Sequence, residues 1–157
     1  MDMIRRDLHS NIKAVSHYVG TPTATVTPTN GVDLAGFSSS EFLMSVGPVA
    51  NIANSPQPSW AFKLQHSDSQ SSDFTDVTDA NDVLVGSAKS PVTAPNASTG
   101  VFLTVDDAAE DDTVYRVGYI GTKRYVRVVA TAVNTPGATP MAFVAVLGNP
   151  ALAPTSD

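Results

Sequence analysis

The sequence predicts an all-β protein, a jelly-roll-like β-sandwich with an extended N-terminal arm. Three observations carry that expectation. Twenty residues are Val and sixteen are Thr, against eight Leu, four Lys and two Glu, so β-branched side chains dominate and straight-chain helix formers are scarce. Short apolar–polar alternations recur between clusters of Gly, Pro, Asn and Ser. The connections are long and uneven, which suits two Greek keys better than a regular seven-strand meander. At 157 residues the chain makes one ordinary domain, able to bury roughly 70% of its unfolded surface. The organisation read from it is an arm over 1–20, a sandwich over 21–150 and a tail over 151–157.

In the arm, Ile4, Leu8, Ile12, Val15 and Tyr18 are set among Arg5, Arg6 and Asp7. The spacing of Leu8, Ile12 and Val15 fits one face of a short helix. Such a segment is too short to hold a helix alone, so it is expected to order on a partner. About twenty extended residues reach on the order of 65 Å, far enough to touch a neighbouring subunit.

The sandwich begins with residues 21–29, where Pro22 and Pro28 confine a Thr-rich alternation to an edge strand or an extended linker. Asn30-Gly31 marks a turn. Phe42, Met44 and Val46 predict a strand with one buried face. After a loop through 51–58, Trp60, Phe62 and Leu64 alternate with Ala61, Lys63 and Gln65, a half-buried strand that places Trp60 in the core. Residues 67–73 are a polar loop, and Phe74 and Val77 are expected to return to the core. Residues 82–86 and 99–105 read as strands around a loop over 87–98, and 106–113 as an acidic loop.

Residues 114–133 read as a hairpin, with Gly121-Thr122 as a type II′ turn. That register pairs Ile120 with Lys123, Val117 with Val126 and Tyr115 with Val128. One face would carry Tyr115, Val117, Tyr119, Val126, Val128 and Ala130. The other would oppose Arg116 to Arg127, which requires an acidic partner from 73–82 or 106–112. Tyr119 is a candidate cation–π partner for Arg124. The last strand, 141–147, is apolar on both faces, as a central or an interface strand would be.

The residues that could carry chemistry form no recognisable constellation. There is no Cys, which excludes disulfides, thiolate metal sites and cysteine nucleophiles. His9, His17 and His66 share no metal-ligand spacing, and no Ser-His-Asp pattern or Gly-rich phosphate loop is present. Residues 68–112 hold ten acids against Lys89, while 113–133 hold Arg116, Lys123, Arg124 and Arg127 without an acid. Neither acidic stretch has the calcium-loop pattern of Gly at the sixth and Glu at the twelfth position. No cofactor is expected. The net charge of −6 without a basic stripe argues against nucleic acid as a partner. No apolar run approaches the roughly 20 residues of a membrane span. The N-terminus lacks the apolar core of a secretory signal, so synthesis and use without export by the standard route are expected.

Two stretches carry a resemblance. One is Lys63-Leu64-Gln65-His66-Ser67-Asp68 running to Asp73-Phe74-Thr75-Asp76-Val77. The other is Tyr115-Arg116-Val117-Gly118-Tyr119-Ile120-Gly121-Thr122-Lys123-Arg124-Tyr125-Val126-Arg127-Val128. With Gly31-Val32-Asp33-Leu34 and Gly148-Asn149-Pro150, they resemble small proteins encoded beside the major capsid protein in tailed bacteriophages and prophages. The resemblance covers most of residues 30–150 and leaves out the arm and the loop at 87–98. It implies a capsid auxiliary, or cement, protein with a jelly-roll-like fold and no catalytic residues, made in the host cytoplasm and placed on the outer capsid surface. Its implied partners are the major capsid protein and further copies of itself, as a homo-trimer or homo-dimer. The expected contact residues are Ile4, Arg5, Arg6, Leu8 and Ile12 in the arm, with Pro150, Leu152 and Pro154 near the other terminus. Two other readings are a tail or neck component of the same virion and a carbohydrate-binding module, which would need aromatic rings exposed on one face.

Overall fold

The computed structural model describes residues 7–155. Their strands are β1 (Ile12–Gly20), β2 (Val32–Asp33), β3 (Phe37–Val46), β4 (Ser59–Ser67), β5 (Thr75–Asp76), β6 (Val83–Leu84), β7 (Val101–Val105), β8 (Thr113–Tyr119), β9 (Tyr125–Val133) and β10 (Met141–Pro150). Two 3-10 turns, His9–Asn11 and Ala80–Asp82, are the helical pieces among the described residues.

Sheet A has the order β1-β10-β3-β8-β6. In sheet B, β9 lies between β2 and β4, and β5 and β7 share the far side of β4. Leaving aside the two-residue strands β5 and β6, the antiparallel pairs nest: β1 with β10, β2 with β9, β3 with β8, β4 with β7. Consecutive main strands change sheet at each step except from β4 to β7. This nested pairing, rolled into two sheets, is the jelly roll the sequence predicts.

Period-two alternation turns one side of each long strand into the space between the sheets. Phe42, Met44 and Val46 of β3, Phe143, Ala145 and Leu147 of β10, and Tyr115 and Val117 of β8 face Trp60, Phe62 and Leu64 of β4 and Val126, Val128 and Ala130 of β9, all buried. Phe62 and Phe143 meet edge to face across the gap, their ring centres 6.0 Å apart. Trp60 Nε1 donates to the buried Thr139 Oγ1 at 3.0 Å, which satisfies the one polar atom that this large ring brings inside. Strand β10 lies between β1 and β3, the central placement that its two apolar faces suggest. Residues 21–29 stay at an edge, joined to β9 by the Val26–Ala130 bridge, by Ala132 N donating to Thr25 Oγ1 at 3.0 Å and by Arg127 Nη1 donating to Pro28 O at 2.8 Å.

Several expectations are corrected. Residues 12–20 are not arm but β1, paired with β10 along its length. A short helix has no tertiary partner there, whereas the edge of β10 offers main-chain hydrogen bonds that an extended segment can complete. The helical spacing of Leu8, Ile12 and Val15 is therefore not used, and the sandwich starts at Ile12. Residues 114–133 are not a hairpin: β8 pairs with β3 and β6 in sheet A, and β9 with β2 and β4 in sheet B. Gly121-Thr122 belongs to an arch between the sheets. Ile120 N donates to Asp82 O at 2.8 Å instead of pairing with Lys123, and the Tyr119 ring fills the inside of the arch, where its hydroxyl accepts Lys123 N–H at 3.1 Å. A Cβ on Gly121 would lie 2.5 Å from that hydroxyl.

The opposition of Arg116 and Arg127 disappears with the hairpin. Arg116 meets Glu41 in sheet A at 3.3 Å, and Arg127 donates to Gln65 Oε1 at 2.8 Å in sheet B. Arg124 holds Asp33 through two bonds of 2.9 and 2.8 Å and lies over Tyr125, not Tyr119. Phe74 is half-buried outside the core, with the Arg127 guanidinium 4.0 Å above its ring, while Val77 is buried as expected.

Candidate functional site

Two surfaces stand out, and both belong to sheet A. The first is the corner where the two ends of the described chain meet. After β10 closes on Phe37 through Pro150, Ala151 N donates to Gly36 O at 2.8 Å. The tail then runs to β1, where Thr155 N donates to Ser10 O at 3.1 Å and its hydroxyl donates to Ile12 O at 2.6 Å. On the other side of this seam, Asp7 Oδ1 accepts Ser10 N–H at 3.0 Å and fixes the turn that leads into β1. That hydrogen bond is the main reason the Asp7 carboxyl titrates below the usual range.

The seam leaves apolar side chains outside. Leu8 is 66% exposed and Leu152 86% exposed. Ile12 is half-buried at the start of β1, Pro150 ends β10 half-buried, and Pro154 is exposed. The structure thus brings Leu8 and Ile12 to the same corner as Pro150, Leu152 and Pro154, though they come from opposite ends of the sequence. Ile4, Arg5 and Arg6 lie outside the described residues.

The second surface is the outer face of sheet A, continuous with that corner through Ile12. The pairing register places its residues in rows across the strands. One row is Val19, Ala142, Ser45 and Val114; the next is Ser16, Val144, Leu43 and Arg116; the third is Ala14, Val146, Glu41, Gly118 and Leu84. Val19 is 74% exposed, Val114 and Leu84 are exposed, and Leu43, Val144 and Val146 are half-buried between them. The Glu41–Arg116 pair supplies the charge in these rows. Gly118 has the room this pair needs: Leu84 Cβ and Glu41 Oε2 each lie 3.1 Å from where a Cβ would stand.

The histidine expected at a strand end, His66, sits in a polar cleft of about 360 Å³ with Asp68, Asp73 and Lys123. Its Nδ1 shares a hydrogen bond of 2.9 Å with Tyr119 Oη, which also accepts Lys123 N–H. Lys123 is paired with Asp68. The neighbouring hydroxyl, Ser67 Oγ, donates to Ser72 O at 2.7 Å and accepts Ser69 N–H at 2.9 Å, so it builds the loop rather than facing the imidazole as a nucleophile. Burial lowers the His66 pKa and favours the neutral ring.

The acidic stretches are likewise engaged locally. Asp76 accepts Lys63 Nζ and Gln65 Nε2 at 2.8 and 2.7 Å, Asp79 accepts Asn81 N at 2.8 Å, Asp107 accepts Ala109 N at 2.8 Å, and Asp111 accepts Val49 N at 3.0 Å. Among the described residues no three His, Asp or Glu side chains converge as metal ligands. No helix among them is long and apolar enough to cross a membrane.

His17 has a role the sequence did not signal. At the bulge between Ser16 and Tyr18, β1 reaches across the sandwich, and Val128 N of β9 donates to His17 Nε2 at 3.2 Å. Burial, with Arg127 nearby, lowers the ring's pKa to about 4 and keeps that nitrogen an acceptor. Each Phe, Tyr and Trp of the chain is buried or half-buried.

No protein-family model matches the chain, and no curated protein matches it. Among solved structures, the chain is similar to the CBM22-1–GH10 modules of Clostridium thermocellum endo-1,4-β-D-xylanase 10B, complexed with xylohexaose, at 10% identity and a TM-score of 0.40. The match takes in 93% of this chain and 26% of that one. A likeness at this level bears on neither substrate nor partner, and the sandwich rests on its own strand pairing.

Proposed function

We propose that this chain is a capsid auxiliary protein of a tailed phage: a β-sandwich without catalytic role that attaches to the outer surface of the shell and holds neighbouring shell subunits together. The observation that carries this reading is the corner of sheet A. Segments from both ends of the sequence, the ones expected to make contacts, are tied together there by Thr155, and they leave Leu8 and Leu152 in water. The resemblance to proteins encoded beside the major capsid protein supports the choice of partner. A rigid jelly roll with apolar contact points suits adhesion, and many copies on one lattice multiply a modest contact into firm attachment.

The test is binding of the full chain to heads that lack it. Burying one leucine stabilises a contact by roughly 1.5–3 kcal/mol, so Leu8→Asp and Leu152→Asp should each weaken coating by about tenfold or more. Removing residues 1–6 tests Ile4, Arg5 and Arg6 without touching β1. If these variants coat naked heads as tightly as the parent, attachment through this corner is wrong. A copy number of a handful per particle would move the protein to the tail or neck.

A further inference from the structure

We infer that the outer face of sheet A is a self-association surface on which a second copy of this chain packs, face to face, about a two-fold axis. The inference is independent of the shell reading, which rests on the corner and not on these rows.

Three features select a second copy as the occupant. The first is charge. The chain carries −6 overall, and its acids crowd the loops at 68–82 and 106–112, so copies repel each other in most orientations. The rows of sheet A hold a single acid and a single base, Glu41 and Arg116, and are neutral together. The second is self-complementarity. A two-fold axis running between the two side-chain heads sets each Arg116 against the Glu41 of the other copy as well as its own, a cluster of four alternating charges. Arg116 keeps about half its side chain exposed (53%), so it has donors to offer.

The third is shape and size. Small residues (Ala14, Ser16, Ala142, Ser45, Gly118) surround Val144 and Leu43, and packed sheet faces stack about 10 Å apart. The three rows hold thirteen residues, and at about 4.8 Å between strands and about 6.8 Å between rows they span roughly 400 Å² per copy. A standard interface takes about 800 Å² from each partner, and weak, transient ones less than about 600 Å². The face therefore matches a small, reversible homodimer. The open edge of β1 is a poorer candidate, because the tail covers its start at Ser10 and Ile12 and the bulge at His17 interrupts its register.

Sedimentation velocity of the full chain over a wide range of concentration tests this. The parent should shift from monomer to dimer. Val144→Lys, at the centre of the face and on its solvent side, should raise the dissociation constant at least about tenfold while leaving the circular dichroism unchanged. Glu41→Arg and Arg116→Glu should each be monomeric alone, and a mixture of the two should form a heterodimer, because one face is then basic and the other acidic. A parent that stays monomeric throughout overturns the proposal, as does a dimer indifferent to Val144→Lys. If Val144→Lys does not fold, the mixing experiment decides: no heterodimer, no pairing through this face. A monomeric parent whose Val144→Lys variant no longer coats heads would assign the face to the shell instead, and likewise overturns self-association.

Discussion

The two outer faces of the sandwich differ in kind. On sheet B, a polar ladder crosses the strands: Arg127 donates to Gln65, Gln65 to Asp76, and Lys63 to the same Asp76, with Arg127 laid over Phe74. Each of these charges has a partner within the chain. On sheet A, Val, Ala, Leu and Ser occupy the corresponding positions around one ion pair. An antiparallel sheet packed on one side is free to be polar on the other. Where one face of a sandwich takes that freedom and the other does not, the apolar face is the one proposed above for contact. The same inner architecture supports both, so the difference lies in the outward half of each alternation.

The largest effect should come from what the faces share. Phe143 packs on Tyr18 of β1 and on Phe62 of sheet B, with ring centres 5.3 and 6.0 Å away. Phe143→Ala should cost about 3–5 kcal/mol of unfolding free energy, read by denaturant titration, and should loosen both sheets together.

His17 comes next. It ties the edge of the apolar sheet to β9 of the polar one. Above pH 6.5 its ring is neutral in both the folded and unfolded chain, and the bond from Val128 is intact. As pH falls from 6.5 to about 4, the unfolded chain takes up a proton that the folded chain resists, so stability declines by up to about 3 kcal/mol and levels off below that. His17→Gln retains an acceptor without titrating. The difference between parent and variant in thermal unfolding should therefore vary over that window; a constant difference would remove His17 from the account.

On the polar face, Asp76→Asn should cost about 1 kcal/mol, less in high salt, and should leave self-association untouched. On the apolar face, Arg116→Gln should change monomer stability by less than about 1 kcal/mol, because its ion pair is exposed, yet should weaken pairing of the chains. This crossed pattern is the sharpest form of the comparison. If Asp76→Asn altered association as much as Arg116→Gln, the two faces would not have separate roles.

The sites illustrate how far local pattern reaches. Leu8, Ile12, Pro150, Leu152 and Pro154 were readable as apolar residues near the ends of the chain, but their meeting at one corner depends on Thr155 bonding to Ser10 and Ile12. The strand at 141–147 was readable as apolar on both faces. Its outward residues Ala142, Val144 and Val146 became a surface only when Leu43 and Val114 were set beside them by β3 and β8. His17 gave no local signal, because its partner is a main-chain N–H on a strand more than a hundred residues away, at a separation of 111.

The sequence by itself determined which side of the strands it identified faces inward. Tyr115, Val117, Tyr119, Val126, Val128 and Ala130 were assigned to one face of a hairpin, and all six are buried. Alternation of apolar and polar side chains is a property of the strand alone, so it survives any choice of neighbour. Only the tertiary structure decided which strands are neighbours. The same six residues lie on two opposed sheets, not on one hairpin, because a short Gly-containing link between alternating runs serves an arch as well as a turn. Tyr119 filling that arch, and the free edges of β3 and β4 that receive β8 and β9, settled the choice through contacts that span the chain.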